Sequence, residues 1–154
     1  ALRLVGSEMC IRDSIMIGDE TDGTVIPQDL GLNWAISKKK DDFLGKRAQE
    51  RMFMDNPDRW QLVGLETLDG SVLEDGSYAI ATGQNANGQT NTEGRVTSTY
   101  YSPTLKKGIA MGLVFHGPER MGDVLSFTRI GAAPVKAKIV SPLFYDPEGK
   151  KSNV

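Results

Sequence analysis

The sequence predicts a mainly β chain, with an antiparallel barrel or sandwich following a shorter α/β segment. Three observations predict it. From Trp60 onward, short runs of apolar residues alternate with polar ones. Gly and Pro punctuate those runs at a spacing of roughly 8–15 residues, as in small antiparallel barrels. A change of texture at Asn56-Pro57-Asp58 separates them from what precedes.

The elements follow in order. Ile15-Met16-Ile17-Gly18 reads as the end of a buried strand, and residues 19–27 as a polar, turn-rich loop. Asp29 is placed to cap a short turn through Leu30 and Leu32. Trp34-Ala35-Ile36-Ser37 reads as a short extended piece before the Lys38-Lys39-Lys40 run. Asp41 and Asp42 stand where an N-cap and a first-turn acid belong, so a helix is predicted over 43–52, with basic residues toward its C-terminal end. Strands are predicted at 61–66, 77–81, 95–99, 108–115, 124–129 and 135–140. Residues 82–93, rich in Gly, Asn, Gln and Thr, read as a mobile loop or hairpin. There is no internal repeat.

A chain of 154 residues makes one domain, or one domain and a piece of another. Its 39% hydrophobic and 25% charged residues are ordinary for a globular protein. A formal charge of −2 offers no argument for nucleic acid, and no apolar run approaches the length of a membrane helix. Neither partner is expected. A single cysteine, Cys10, allows no internal disulfide and fits a reducing compartment, so the expected location is cytoplasmic; no signal-peptide pattern is present. Residues 4–14 lack any period and are spelled like translated sequencing-adapter sequence. Residues 1–14 are therefore expected to be non-native, with the genuine protein starting near Ile15.

Little in the chain advertises chemistry. Asp19, Glu20 and Asp22 lack the ligand spacing and closing Glu of a calcium loop, and read as a structured loop. No dinucleotide fingerprint or P-loop occurs, and no metal site is expected. His116, before Gly117-Pro118, reads as a loop histidine. Thr97 and Ser98 are read as satisfying local groups, with no activating His or Cys beside them. One of Tyr100 and Tyr101 is expected to face inward, since strand neighbours point to opposite faces.

The run Gly94-Arg95-Val96-Thr97-Ser98, followed by Ser102-Pro103-Thr104-Leu105 and Ile109-Ala110-Met111-Gly112, resembles a signature of the glycine-cleavage T-protein (aminomethyltransferase) family. Four further stretches are similar to one branch of it, the C-terminal part of the sarcosine oxidase alpha subunit. They are Asp22-Gly23-Thr24-Val25-Ile26-Pro27-Gln28-Asp29-Leu30-Gly31-Leu32, Trp34-Ala35-Ile36-Ser37-Lys38-Lys39-Lys40, Asp42-Phe43-Leu44-Gly45-Lys46-Arg47 and Arg59-Trp60-Gln61-Leu62-Val63-Gly64-Leu65. The ending Ser141-Pro142-Leu143-Phe144-Tyr145-Asp146-Pro147-Glu148-Gly149 is similar to that subunit's tail.

The resemblance implies a fold and a division of the chain. Residues 15–57 would be the truncated end of an α/β folate-binding body, 58–147 a C-terminal antiparallel barrel of jelly-roll or Greek-key kind, and 148–154 a tail. It also implies a function. The parent would oxidise sarcosine to glycine and pass the one-carbon unit to tetrahydrofolate, giving 5,10-methylenetetrahydrofolate. Flavin and NAD would be held only in other domains or subunits, and the partners would be other sarcosine oxidase subunits in a hetero-oligomer. The catalytic carboxylate of the family lies in the half of the module that precedes this sequence, so no catalytic residue is named. An aminomethyltransferase, a dimethylglycine dehydrogenase relative, or a non-catalytic folate-binding or docking barrel are the alternatives.

Two residues are candidates for the folate site by this resemblance. Trp34 matches a Trp that lines it; an indole stacks well on a pteridine or aminobenzoyl ring, and its other reading is packing between body and barrel. Arg59 lies where the family carries basic residues; a guanidinium fork suits carboxylates, and its other reading is a solvated partner of Asp58. The Lys38-Lys39-Lys40 run is either a solvated surface or an attractor for an acidic folate tail.

Overall fold

The computed structural model describes residues 15–51, 56, 58–84 and 86–144. Six strands make the body: β1 (Trp60–Thr67), β2 (Tyr78–Gln84), β3 (Thr90–Ser102), β4 (Lys107–Phe115), β5 (Val124–Phe127) and β6 (Val135–Val140). They close into a barrel in the order β1-β4-β3-β2-β5-β6, every pair antiparallel. Closure leaves no unpaired sheet edge. β1 lies beside β4 rather than β2, a Greek-key return, so residues 68–77 cross one end of the barrel. That crossing explains Gly108: a Cβ there would overlap the Ser71 carbonyl oxygen and stand 3.0 Å from Val72 Cα.

The strands alternate as the period of two requires. Val63, Leu65, Val96, Val114, Phe127 and Ile139 point into the barrel and are almost fully buried. On the outside, Leu62, Ile109, Met111 and Leu113 form a second apolar cluster. Ile15, Val25 and Leu30 cover it from the N-terminal segment, and Phe144 from the chain beyond β6. Gly64 makes room for that last stretch, because a Cβ would meet Ser141 O and lie 2.8 Å from Phe144 Cζ.

A register shift between Val96 and Ser98 marks a bulge at Thr97. Val96 pairs with Gly112, but Ser98 pairs with Met111, one residue on rather than two. The extra residue turns the rest of β3 over. Ser98 and Tyr100 therefore face the outer cluster instead of the barrel interior.

The strands are longer than predicted at several ends. Residues 82–93 are mostly strand, in a β2–β3 hairpin. β5 stops at Phe127, short of the predicted 129. The N-terminal segment differs more. Ile17 is exposed and makes only an isolated bridge to Thr21, so 15–18 is not a buried strand end. Residues Pro27–Leu30 and Asn33–Ala35 are 3-10 turns, the second replacing the predicted extended piece at Trp34. Asp29 sits within the first turn and reaches back to the Ile26 N–H at 3.0 Å, rather than capping from in front. The predicted helix is a single turn, Lys46–Gln49, preceded by Gly45 in a left-handed conformation. Asp42 accepts from the Phe43 N–H and does not cap it. The outer faces of these turns leave Trp34 and Leu44 exposed, so no buried stripe extends the helix. The expectations for residues 1–14, for 52–55 and 57, and for the tail from 145 onward fall outside the described residues.

Candidate functional site

The loop 20–29 is fastened to the barrel by three carboxylates. Glu20 is fully buried; it accepts from the Met16 N–H at 2.7 Å and from the Ser98 hydroxyl that the bulge turned outward. Asp22 accepts from the Thr24 N–H at 2.8 Å and hydroxyl at 2.5 Å, and from Arg95 Nη2 at 3.0 Å. The Thr24 bonds first, and Arg95 after them, hold the Asp22 carboxyl below the ordinary aspartate range. Asp29 takes Arg59 with both oxygens: Nε lies 2.9 Å from each, and Nη2 lies 2.5 Å from Oδ2. Arg59 Nη2 also donates to the Thr24 carbonyl at 2.5 Å. The Asp29 bonds raise the Arg59 pKa further, against the opposing effect of burial.

Between this loop and the barrel lies a cavity of about 820 Å³. Its apolar lining includes Val25, Trp60, Ala81, Leu113 and Phe115, and its charged lining Asp22, Asp29, Asp58, Arg59, Glu93 and Arg95. That mixture, of apolar walls with a few polar groups, is typical of small-molecule sites. Trp60 and Phe115 are register partners at one end of the β1–β4 ladder, and their rings meet edge to face with centroids 5.8 Å apart. Phe115 also lies against His116, centroids 6.5 Å apart. His116 Nε2 is 3.1 Å from Asp58 Oδ1. Trp60, Phe115, His116 and Asp58 are thus one contiguous group.

Of the two sequence candidates, Arg59 lines this cavity and Trp34 does not. Trp34 stands 81% exposed on its 3-10 turn. Arg59 pairs with Asp29, not with its neighbour Asp58. Asp19, Glu20 and Asp22 form a structured loop, as expected, and among the described residues no group of three or more His, Cys, Asp or Glu could hold a metal ion. No helix of the described residues is long and apolar enough to cross a membrane. Sequence reasoning missed the Trp60–Phe115 pair and the Arg95 and Glu93 contributions. Only the strand register brings them together, and the spelling of each strand alone does not disclose it.

Residues 61–146 match the glycine cleavage T-protein C-terminal barrel domain family. The chain is 38% identical over 139 residues to the sarcosine oxidase subunit alpha of Corynebacterium sp. (strain P-1), covering 89% of this chain and 14% of that protein. The corresponding subunit of Rhizobium meliloti is also 38% identical, over 138 residues. An aminomethyltransferase of Thermosipho melanesiensis is 31% identical over 144 residues, covering 92% of this chain and 37% of that protein. The chain therefore spans only a minor part of the length of each. Among solved structures, aminomethyltransferase T of the glycine cleavage system from Bartonella henselae superposes with a TM-score of 0.71 at 21% identity, over 92% of this chain and 38% of that one. That likeness shows the shared fold.

Proposed function

The chain belongs to the glycine cleavage T-protein C-terminal barrel domain family, and from that premise we propose that it serves as the C-terminal part of a sarcosine oxidase alpha subunit. The observation that carries this reading is the 38% identity to such subunits across 89% of this chain, against 31% to the aminomethyltransferase. In this reading the barrel closes a tetrahydrofolate-dependent one-carbon module in a hetero-oligomer. Tetrahydrofolate, when bound, supplies the acceptor for the one-carbon unit released as sarcosine becomes glycine.

The chain's own residues would bind and shape rather than transfer protons. Trp34 has its indole open to a stacking partner, which supports a contact with the pteridine or aminobenzoyl ring. Arg59 places positive charge on the cavity wall and holds Asp29 and the Thr24 carbonyl there, which supports it as the second contact. Flavin and NAD would be held elsewhere in the assembly.

The test is an assay of the parent assembly carrying this sequence. With sarcosine and tetrahydrofolate, 5,10-methylenetetrahydrofolate should form in step with glycine. Glycine formation with no folate product under any condition would overturn the reading.

A further inference from the structure

The connection between β2 and β3 carries a reactive pair that the folate reading does not use. Asn87-Gly88 is the sole Asn-Gly pair in the sequence. The other five asparagines precede Trp34, Pro57, Ala86, Thr92 and Val154. A following residue with a Cβ crowds the approach of its own amide nitrogen to the asparagine side chain, and proline has no N–H to give. Glycine imposes neither limit. Residues 86–89 are exposed, at the tip of the hairpin. Gly88 is left-handed, with φ +74, and no atom stands within 4 Å of the place a Cβ would take. Among the described residues its N–H donates no hydrogen bond. The three Asp-Gly pairs, at Asp22, Asp69 and Asp75, do not compete, because an ionised carboxylate is a far poorer electrophile than a carboxamide.

We propose that Asn87-Gly88 is a site of self-modification, at which the folded chain converts Asn87 to aspartate and isoaspartate. The Gly88 nitrogen attacks the Asn87 Cγ and forms a new N–Cγ bond. The Cγ–Nδ2 bond breaks, and ammonia leaves with the proton that Gly88 gave up. The product is a five-membered succinimide ring. Water then opens it. Attack at Cγ gives aspartate; attack at the backbone carbonyl gives isoaspartate, in which the main chain runs through Cβ. Water is the only co-reactant, and nothing is oxidised or reduced. Either product adds a negative charge at the hairpin tip, and isoaspartate also lengthens the main chain by a carbon. Asn91, Thr92 and Glu93 of β3 line the cavity, so the change falls in the loop that joins this wall to β2.

The test incubates the full folded chain in mildly basic buffer and follows each asparagine by peptide mapping. The readouts are the mass change of NH2 to OH, released ammonia, and chromatographic separation of the aspartate and isoaspartate peptides. Asn87 should convert about tenfold faster than any other asparagine, the ratio given by a barrier lower by about 1.4 kcal/mol. Gly88→Ala should slow it by about tenfold as well, with the fold checked by the thermal midpoint. Asn87→Gln, which leaves Gly88 in place, should abolish ammonia release from this site, because the ring it would form is six-membered and closes far more slowly. A parallel incubation in urea shows whether the fold permits the reaction. An Asn87 that converts in urea but not in the folded chain, another asparagine that converts as fast, or an unchanged rate in Gly88→Ala would each overturn the proposal.

Discussion

Asp29 and Arg59, thirty positions apart in the chain, form a two-oxygen ion pair that is almost wholly buried, with exposures of 4% and 11%. It joins the N-terminal segment to the root of β1 and forms one wall of the cavity. Removing one partner strands the other's charge, so Asp29→Ala should destabilise the protein by about 3–5 kcal/mol. Chemical denaturation would measure it. The paired replacement Asp29→Leu with Arg59→Met should recover most of that loss, because the desolvation cost disappears with both charges.

The buried Glu20–Ser98 contact depends on the bulge that turns Ser98 outward. Ser98→Ala removes the donor to a fully buried carboxylate and should cost about 1–3 kcal/mol. Amide exchange should then quicken at 16–24 more than in β4 or β6. Equal quickening throughout would indicate that the contact holds no particular segment.

Asp22 sets a pH dependence. Its folded pKa lies below the ordinary value of 3.8, chiefly through Thr24 and then Arg95. The stability it contributes is therefore complete above 3.8 and is lost as pH falls through the lower folded value. Asp22→Asn should flatten the acid limb of a stability-versus-pH curve below that point. The Asp22 side chain is 36% exposed and screened by solvent, so the change in slope will be small.

Gly64 and Gly108 are required by close approach of backbone. Gly108→Ala would push the crossing loop at Ser71 off the start of β4, and should cost about 1–3 kcal/mol in thermal or denaturant unfolding. Gly64→Ala should cost a comparable amount and expose Leu62 and Met111 by lifting Phe144; an increase in apolar dye binding would report it.

The barrel was legible because strand alternation, turn residues and the Gly94–Val114 region all pointed the same way. β6 matches the predicted 135–140 at both ends, since its Val135, Ala137 and Ile139 alternate strictly with exposed lysines. The N-terminal segment was not legible by the same means. Its residues take their positions from barrel contacts, Val25 and Leu30 on the outer cluster and Asp29 on Arg59, rather than from local propensity. The bulge at Thr97 was hidden for a related reason: residues 96–100 alternate plausibly in either register, and only pairing with β4 fixes which face Ser98 and Tyr100 take. Tyr100 accordingly packs on the outer cluster, while Tyr101 is exposed. Arg59, named from the family resemblance, stands just before β1 and lines the cavity. Its partner, Asp29, lay too far along the chain to be foreseen.

The central proposal, a folate-binding role, rests most directly on Trp34. Titration calorimetry of tetrahydrofolate against the parent assembly and its Trp34→Ala variant should show binding weakened by about 1–3 kcal/mol, in the range of base–aromatic stacking. Reduction of the flavin by sarcosine should be unchanged. Equal folate affinity in the two proteins, both well folded, would contradict the account and leave Trp34 an exposed residue of its 3-10 turn, since its other reading, packing between body and barrel, is already excluded by its exposure.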